Sequence, residues 1–215
     1  MAGGSNKIED AYHILLEHFG PQDWWPAESP FEVMVGAVLT QNTNWQNVEK
    51  AIGRLKEADL LSFDRLLQLG LTELAEYIRP AGYYNLKAGR LKNLLQMIDE
   101  RYDGDLDALF QEYPDDGRAA LLAVKGVGPE TADSILLYAG GHPVFVVDAY
   151  THRVFSRHNL VPEESSYWEI QQAFSDSLDE DASLFNEYHA LIVTVAKKYC
   201  KKKSPDCDNC PLKDL

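Results

Sequence analysis

The stretch "IEDAYHILLEHF" places apolar residues at steps of three and four and stops at Gly20, the spacing of a helix that buries one face. The same period runs through "NWQNVEKAIGRLKEA" and through "LTELAEYIR", which ends at Pro80. In "NLKAGRLKNLLQMIDERY" it puts Leu86, Leu91, Leu94, Leu95 and Ile98 on one face. "FEVMVGAVLTQ" is apolar almost throughout, which predicts a helix buried on all sides. "DGRAALLAV" and "PETADSILLYA" predict two helices around a Gly-Val-Gly turn, and "AYTHRVFSRH" and "SLFNEYHALIVTVAKKYC" predict two more. After Pro143, "VFVVD" predicts a short extended piece; a single such piece cannot build a sheet. The pattern therefore predicts an all-α fold ending in a polar, irregular tail, "KKKSPDCDNCPLKDL". No internal repeat and no low-complexity linker interrupts it.

Composition leaves that picture intact. The chain has 215 residues, 45% hydrophobic and 25% charged, enough for a core organised as one domain or two modest ones. The opening "MAGGSNKIEDAYHILLEHF" has no basic region followed by an apolar stretch, so no secretory signal is expected. The longest uncharged run, "SILLYAGGHPVFVV", is broken by Gly-Gly and Pro143 and is too short to span a bilayer. The expectation is a cytoplasmic protein with no membrane partner. The net charge of −14 argues against loose attraction to nucleic acid, because its long-range field repels phosphate. It leaves room for a local basic face, and Lys197, Lys198, Lys201, Lys202 and Lys203 cluster near the C-terminus. The three cysteines, Cys200, Cys207 and Cys210, crowd into the same tail, which suggests a metal or an iron–sulfur cluster.

In "AVKGVGPE", glycines permit backbone conformations that side chains block, and Pro129 suits the first position of a helix, with Gly128 as its N-cap. Outward-pointing amides at such a start form an anion site for a backbone phosphate. A plain helix–helix turn is the alternative on this short motif alone. Asp148 likewise suits the cap of the helix "AYTHRVF". A fixed, partly buried carboxylate there is also suited to stabilising positive charge on a sugar and to orienting or deprotonating water. Lys87, Arg90 and Lys92 are candidates for phosphate contacts, with a solvated helix face as the alternative.

"KGVGPETADSILLYA" followed by "VVDAYTHRVF" resembles the helix–hairpin–helix DNA glycosylases of the endonuclease III superfamily, over about residues 31–210. The resemblance implies two helical domains with a DNA cleft between them, one over 25–135 ending in the hairpin and the other joining 1–24 to 136–215. It makes Asp148 the catalytic carboxylate and makes Lys125, Gly126, Gly128 and the matching Arg153 DNA-binding. Bifunctional members carry a lysine two residues after the second hairpin glycine, which forms a Schiff base with the sugar and lets the enzyme nick the strand. Here that position is Glu130, and a carboxylate cannot form an imine. The resemblance thus implies an enzyme that removes the base with water and leaves the strand whole. An acid favouring the dipole of its own helix is the simpler reading of Glu130.

"WWP", "GAVLTQNT", "RPAGYYNLKA" and "KGVGPETAD" together resemble the 3-methyladenine branch of that superfamily. The branch lines its base pocket with aromatics and a proline that map to Trp25, Pro26 and Trp45, with Trp24 alongside; Gln41 and Asn42 are candidates for the wedge that fills the vacated duplex. A flipped base must be read in a pocket, and flat aromatic walls suit a cationic alkylated purine. Core packing at a domain junction is the alternative for these tryptophans. The family's cluster loop is Cys-x6-Cys-x2-Cys-x5-Cys, and Cys200, Cys207 and Cys210 match its first three positions, implying a [4Fe–4S] cluster. The fourth ligand falls one position beyond Leu215. Three readings stay open: the natural chain runs further, a small exogenous ligand fills the site, or the cluster is degenerate, as in members of the alkylation branch that lack it. Zinc fits the spacing less well, with no histidine in the tail. The expected function is a monomeric, monofunctional glycosylase for alkylated purines in duplex DNA. The rivals are a bifunctional glycosylase/lyase on oxidised pyrimidines and a non-enzymatic DNA-binding module.

Overall fold

A computed structural model describes residues 6–22 and 24–215, apart from the side chain of Pro114. Among the described residues the chain is helical and contains no strand. In order it forms α1 (Lys7–Phe19), α2 (Pro30–Leu39), α3 (Trp45–Glu57), α4 (Phe63–Gln68), α5 (Leu71–Tyr77) and a 3-10 turn (Arg79–Ala81). Then come α6 (Tyr84–Tyr102), α7 (Leu106–Gln111), α8 (Pro114–Ala123), α9 (Pro129–Ser134), a wide π turn (Ile135–Ala139), α10 (Ala149–Arg157), α11 (Tyr167–Ser177) and α12 (Ala182–Lys198). No described helix is long and apolar enough to cross a membrane. The chain divides into two compact units, one comprising Met1–Pro26 with Pro143–Leu215, the other Ala27–His142.

The second unit is built around α2. Its residues from Phe31 to Leu39 are all buried, as an unbroken apolar run requires. Burial of each large aliphatic side chain contributes about 1.5–3 kcal/mol, so this helix anchors its unit. Helices α3, α6 and α9 and the π turn pack against it. Ser29 caps α2 by accepting the Glu32 amide, and buried Glu32 is paired with Lys56 at 2.9 Å. The two helices flanking the Gly-Val-Gly turn are clamped together. Arg118 on α8 donates Nε to Asp133 Oδ1 at 2.6 Å and an outer nitrogen to Oδ2 at 2.8 Å. Asp133 on α9 is fully buried, and separating such a pair would strand its charge at a cost of about 3–5 kcal/mol.

The first unit has an aromatic core. Phe145 stacks on Phe174 with centroids 4.0 Å apart, and Phe155, Phe185 and Tyr188 close around the pair. Helix α12 packs against α1 and α10. The segment before Asp148 is irregular and pairs with no described strand: Gln171 on α11 donates to the Phe145 carbonyl at 2.7 Å, and the Val147 amide donates to the Tyr167 hydroxyl at 3.4 Å. Side chains of α11 thus replace a neighbouring strand and fix where the chain enters α10.

Candidate active site and hairpin

Asp148 is the N-cap of α10, in extended backbone. Its Oδ1 accepts the amides of Tyr150 (2.8 Å) and Thr151 (2.7 Å) and the Thr151 hydroxyl (3.1 Å). Its Oδ2 faces His189 Nε2 of α12 at 3.5 Å. The side chain is 11% exposed. Burial works against its charge, but the facing His189 and the Thr151 donors outweigh burial and hold the carboxyl below the ordinary value of 3.8. The arrangement is a rigid, ionised carboxylate at a helix start, close to the surface.

Tyr150, two residues on, sits under two cations: the Arg153 guanidinium lies 5.0 Å from its ring centroid and Lys197 Nζ 5.9 Å from it. Lys197 is also 6.0 Å from the Trp24 ring, which brings Trp24 to the same side of this unit. Trp24 and Trp25 meet edge to face, 6.0 Å apart, and both are half-buried. Pro26 is exposed at the end of this segment. Trp45, the first residue of α3, belongs to the other unit. Arg153 directs its guanidinium to the carbonyls of Cys200 (2.8 Å) and Ala196 (3.4 Å), capping the C-terminal end of α12.

The hairpin between α8 and α9 is held from within its own unit. Gln41 donates to the Gly126 carbonyl at 3.1 Å and the Thr131 hydroxyl at 2.9 Å, and accepts from Arg90. Asn93 donates to the Lys125 carbonyl at 2.9 Å. Gly126 has φ +102°, and a Cβ there would run into the Arg90 side chain, so glycine is required twice over. Gly128 is the N-cap of α9, as the sequence implies, but it does not use the freedom of a glycine. It caps α9 in extended backbone at φ −101°, and a Cβ there would meet nothing within 4 Å. Nothing within the fold demands glycine at 128; its bareness keeps the start of α9 open. Lys125 is exposed at the tip. Glu130 is exposed in the first turn of α9, and its carbonyl accepts the Ser134 hydroxyl at 2.7 Å.

Gln41 is therefore engaged with the hairpin, whereas Asn42 is exposed with a left-handed backbone at φ +53°. The expectation of phosphate contacts fails for Lys87. It is 1% exposed and donates Nζ to the carbonyls of Leu39 (2.8 Å) and Ala81 (2.7 Å), closing the end of α2. Burial, helped by the Arg90 charge, pushes its pKa down to about 8. Lys92 donates to the carbonyls of Leu66 (2.7 Å) and Leu67 (2.6 Å).

The cysteines line one cavity of about 680 Å³ with Arg157, His158 and Asp214. Cys200 and Cys210 are buried and Cys207 exposed. Arg157 points a guanidinium nitrogen at Cys200 Sγ, 3.4 Å away. Burial raises the Cys210 thiol, and the neighbouring Cys200 and Cys207 add to the effect. The cavity brings the three thiols to one place, short of the four thiolates that an iron–sulfur cluster takes. The four-thiolate set is incomplete within these residues, and no group of three or more His, Cys, Asp or Glu among the described residues is arranged to hold a metal ion.

His189 escaped sequence reasoning. It lies 41 positions from Asp148 on another helix, and only its place beside the apolar run "ALIV" hinted that a buried polar side chain had a partner.

Residues 35–180 match the family model of the HhH-GPD superfamily base excision DNA repair proteins. A protein of Methanocaldococcus jannaschii, assigned by name alone to the DNA repair glycosylases, is 52% identical over 98% of this chain and 97% of its own length. The structure of an H. pylori 3-methyladenine DNA glycosylase bound to 1,N6-ethenoadenine is similar with a TM-score of 0.76 at 31% identity, covering 90% of this chain and 97% of that one. A non-covalent endonuclease III–DNA complex gives a TM-score of 0.83 at 25% identity, covering 97% and 94%.

Proposed function

The chain belongs to the HhH-GPD superfamily of base excision DNA repair proteins, and from that premise we propose that it is a monofunctional DNA glycosylase for alkylated purines. The observation that carries this reading is a pair of carboxylates: an ionised Asp148 whose Oδ1 takes three hydrogen bonds at the start of α10, and Glu130 where strand-cutting relatives need an amine.

Breaking the N-glycosidic bond sends its electron pair to the base and leaves positive charge on the sugar. The carboxylate of Asp148 stabilises that charge and orients the water whose oxygen bonds to C1′, and the water's proton passes to Asp148 or to solvent. A cationic alkylated purine departs neutral, so little acid catalysis is required. Trp24 and Trp25, followed by Pro26 in the chain, offer faces for stacking and cation–π attraction to such a base, and Trp45, in the other unit, is a further aromatic candidate. Gly126, Gly128 and Lys125 present backbone amides and one cation to a DNA phosphate, and Asn42 is the exposed candidate for filling the space left by the flipped base. Arg153, in the other unit, braces α10 against the end of α12. The partner is duplex DNA carrying a damaged base, met by a monomer.

Cys200, Cys207 and Cys210 would hold three corners of a [4Fe–4S] cluster, whose contribution is to pin the lysine-bearing loop. No step of the reaction passes through it.

The likeness to endonuclease III favours a second reading, a bifunctional glycosylase/lyase on oxidised pyrimidines. Borohydride separates the two: a trapped covalent protein–DNA adduct supports the lyase, and base release without an adduct supports the monofunctional enzyme.

A further inference from the structure

Three donors converge on Asp148 Oδ1, all from the first turn of α10. They leave the carboxylate free to pivot unless Oδ2 is also held. The group at Oδ2 is His189 Nε2, 3.5 Å away, on a separate helix. His189 is 6% exposed and is followed along α12 by buried Ala190, Leu191, Ile192 and Val193. An imidazole in such surroundings costs more to bury than a leucine of similar volume, unless it answers a polar partner. Asp148 is that partner.

Resting on the reading of Asp148 as the reacting carboxylate, we propose that His189 is a positioning residue for it, holding Oδ2 from α12 so that the carboxylate meets the sugar in one orientation. The same contact sets its charge. The groups facing Asp148 are the amides and hydroxyl of α10's first turn and, from α12, His189. The cations on these helices are directed elsewhere, Arg153 to the carbonyls of Cys200 and Ala196, Arg157 to those of Lys201 and Lys202, Lys197 to the rings of Trp24 and Tyr150, and Lys198 to the ring of Phe19. Removing the imidazole leaves burial less opposed, so Asp148 becomes easier to protonate.

The test uses the full chain labelled with carboxyl-¹³C aspartate, with Asp148→Asn to assign the resonance. In His189→Gln the amide keeps a donor near Oδ2 but cannot take a charge. The Asp148 resonance is expected to titrate at higher pH in His189→Gln than in the parent, and the loss of base release from methylated DNA should deepen as pH falls. Identical titration of Asp148 in the two proteins, or a loss of equal size at every pH, overturns the proposal. His189→Asn serves if the Gln variant does not fold. If the parent itself releases no methylated base, the functional reading falls, and the resonance still decides the pairing.

Discussion

Gln41 and Gly126, 85 positions apart, are joined by a hydrogen bond of 3.1 Å from side-chain amide to hairpin carbonyl. The turn after α2 thereby fixes the loop between α8 and α9. Gln41→Ala removes two donated bonds and leaves Arg90 without its acceptor. At about 1 kcal/mol net for each of the three bonds lost, the variant should be destabilised by about 3 kcal/mol in urea unfolding. A residue simply displayed to DNA would change stability by less than about 0.5 kcal/mol, and that result would contradict the hairpin role.

The two hairpin glycines should separate fold from function. Gly126→Ala forces a left-handed alanine against the Arg90 stem and should lower the melting temperature clearly. Gly128→Ala should melt like the parent, since its Cβ enters open space, but bind duplex DNA less tightly because the methyl stands where a phosphate must approach. Equal DNA affinity for Gly128→Ala and the parent would remove the hairpin from the interface.

Lys87 makes stability depend on alkaline pH. Its folded pKa of about 8 lies below the ordinary 10.5, so between those values the unfolded chain binds more protons than the folded one. Unfolding then takes up a proton, and stability gains a component that rises with pH across that window. Lys87→Met should lose the component, so that the stability difference, parent minus variant, climbs from pH 8 to 10.5. Parallel curves would mean that Lys87 is not buried as a charge.

The cysteine cavity predicts that the protein, reconstituted anaerobically with iron and sulfide, turns brown with a broad thiolate-to-iron band, and that Cys210→Ser loses most of that colour. A colourless reconstituted parent would leave the three thiols as packing residues only.

Much of the fold was legible in hydrophobic spacing. The run from Phe31 to Leu39 announced a helix buried on all sides because apolarity without a polar face has no other stable place. Asp148 was legible as a cap because a carboxylate ahead of "AYTHRVF" satisfies helix amides that would otherwise be bare. The widening of the helix at Ile135–Ala139 was not legible, since it leaves the apolar pattern unchanged. Lys87 resembled a lysine on a solvated helix face; its burial follows from the carbonyls of Leu39 and Ala81 converging in space, which no local spacing encodes. His189 was hidden for the same reason, its partner lying on another helix.

Base release from methylated duplex DNA, with products separated by chromatography and the parent compared with Asp148→Asn, decides whether Asp148 drives removal of an alkylated purine. The asparagine keeps a carbonyl to accept the α10 amides and loses the charge that faces the sugar. The parent should release alkylated purine without a borohydride-trapped adduct, and Asp148→Asn should lose about a hundredfold or more in rate with DNA binding kept. Equal release by the two proteins would contradict that role of Asp148.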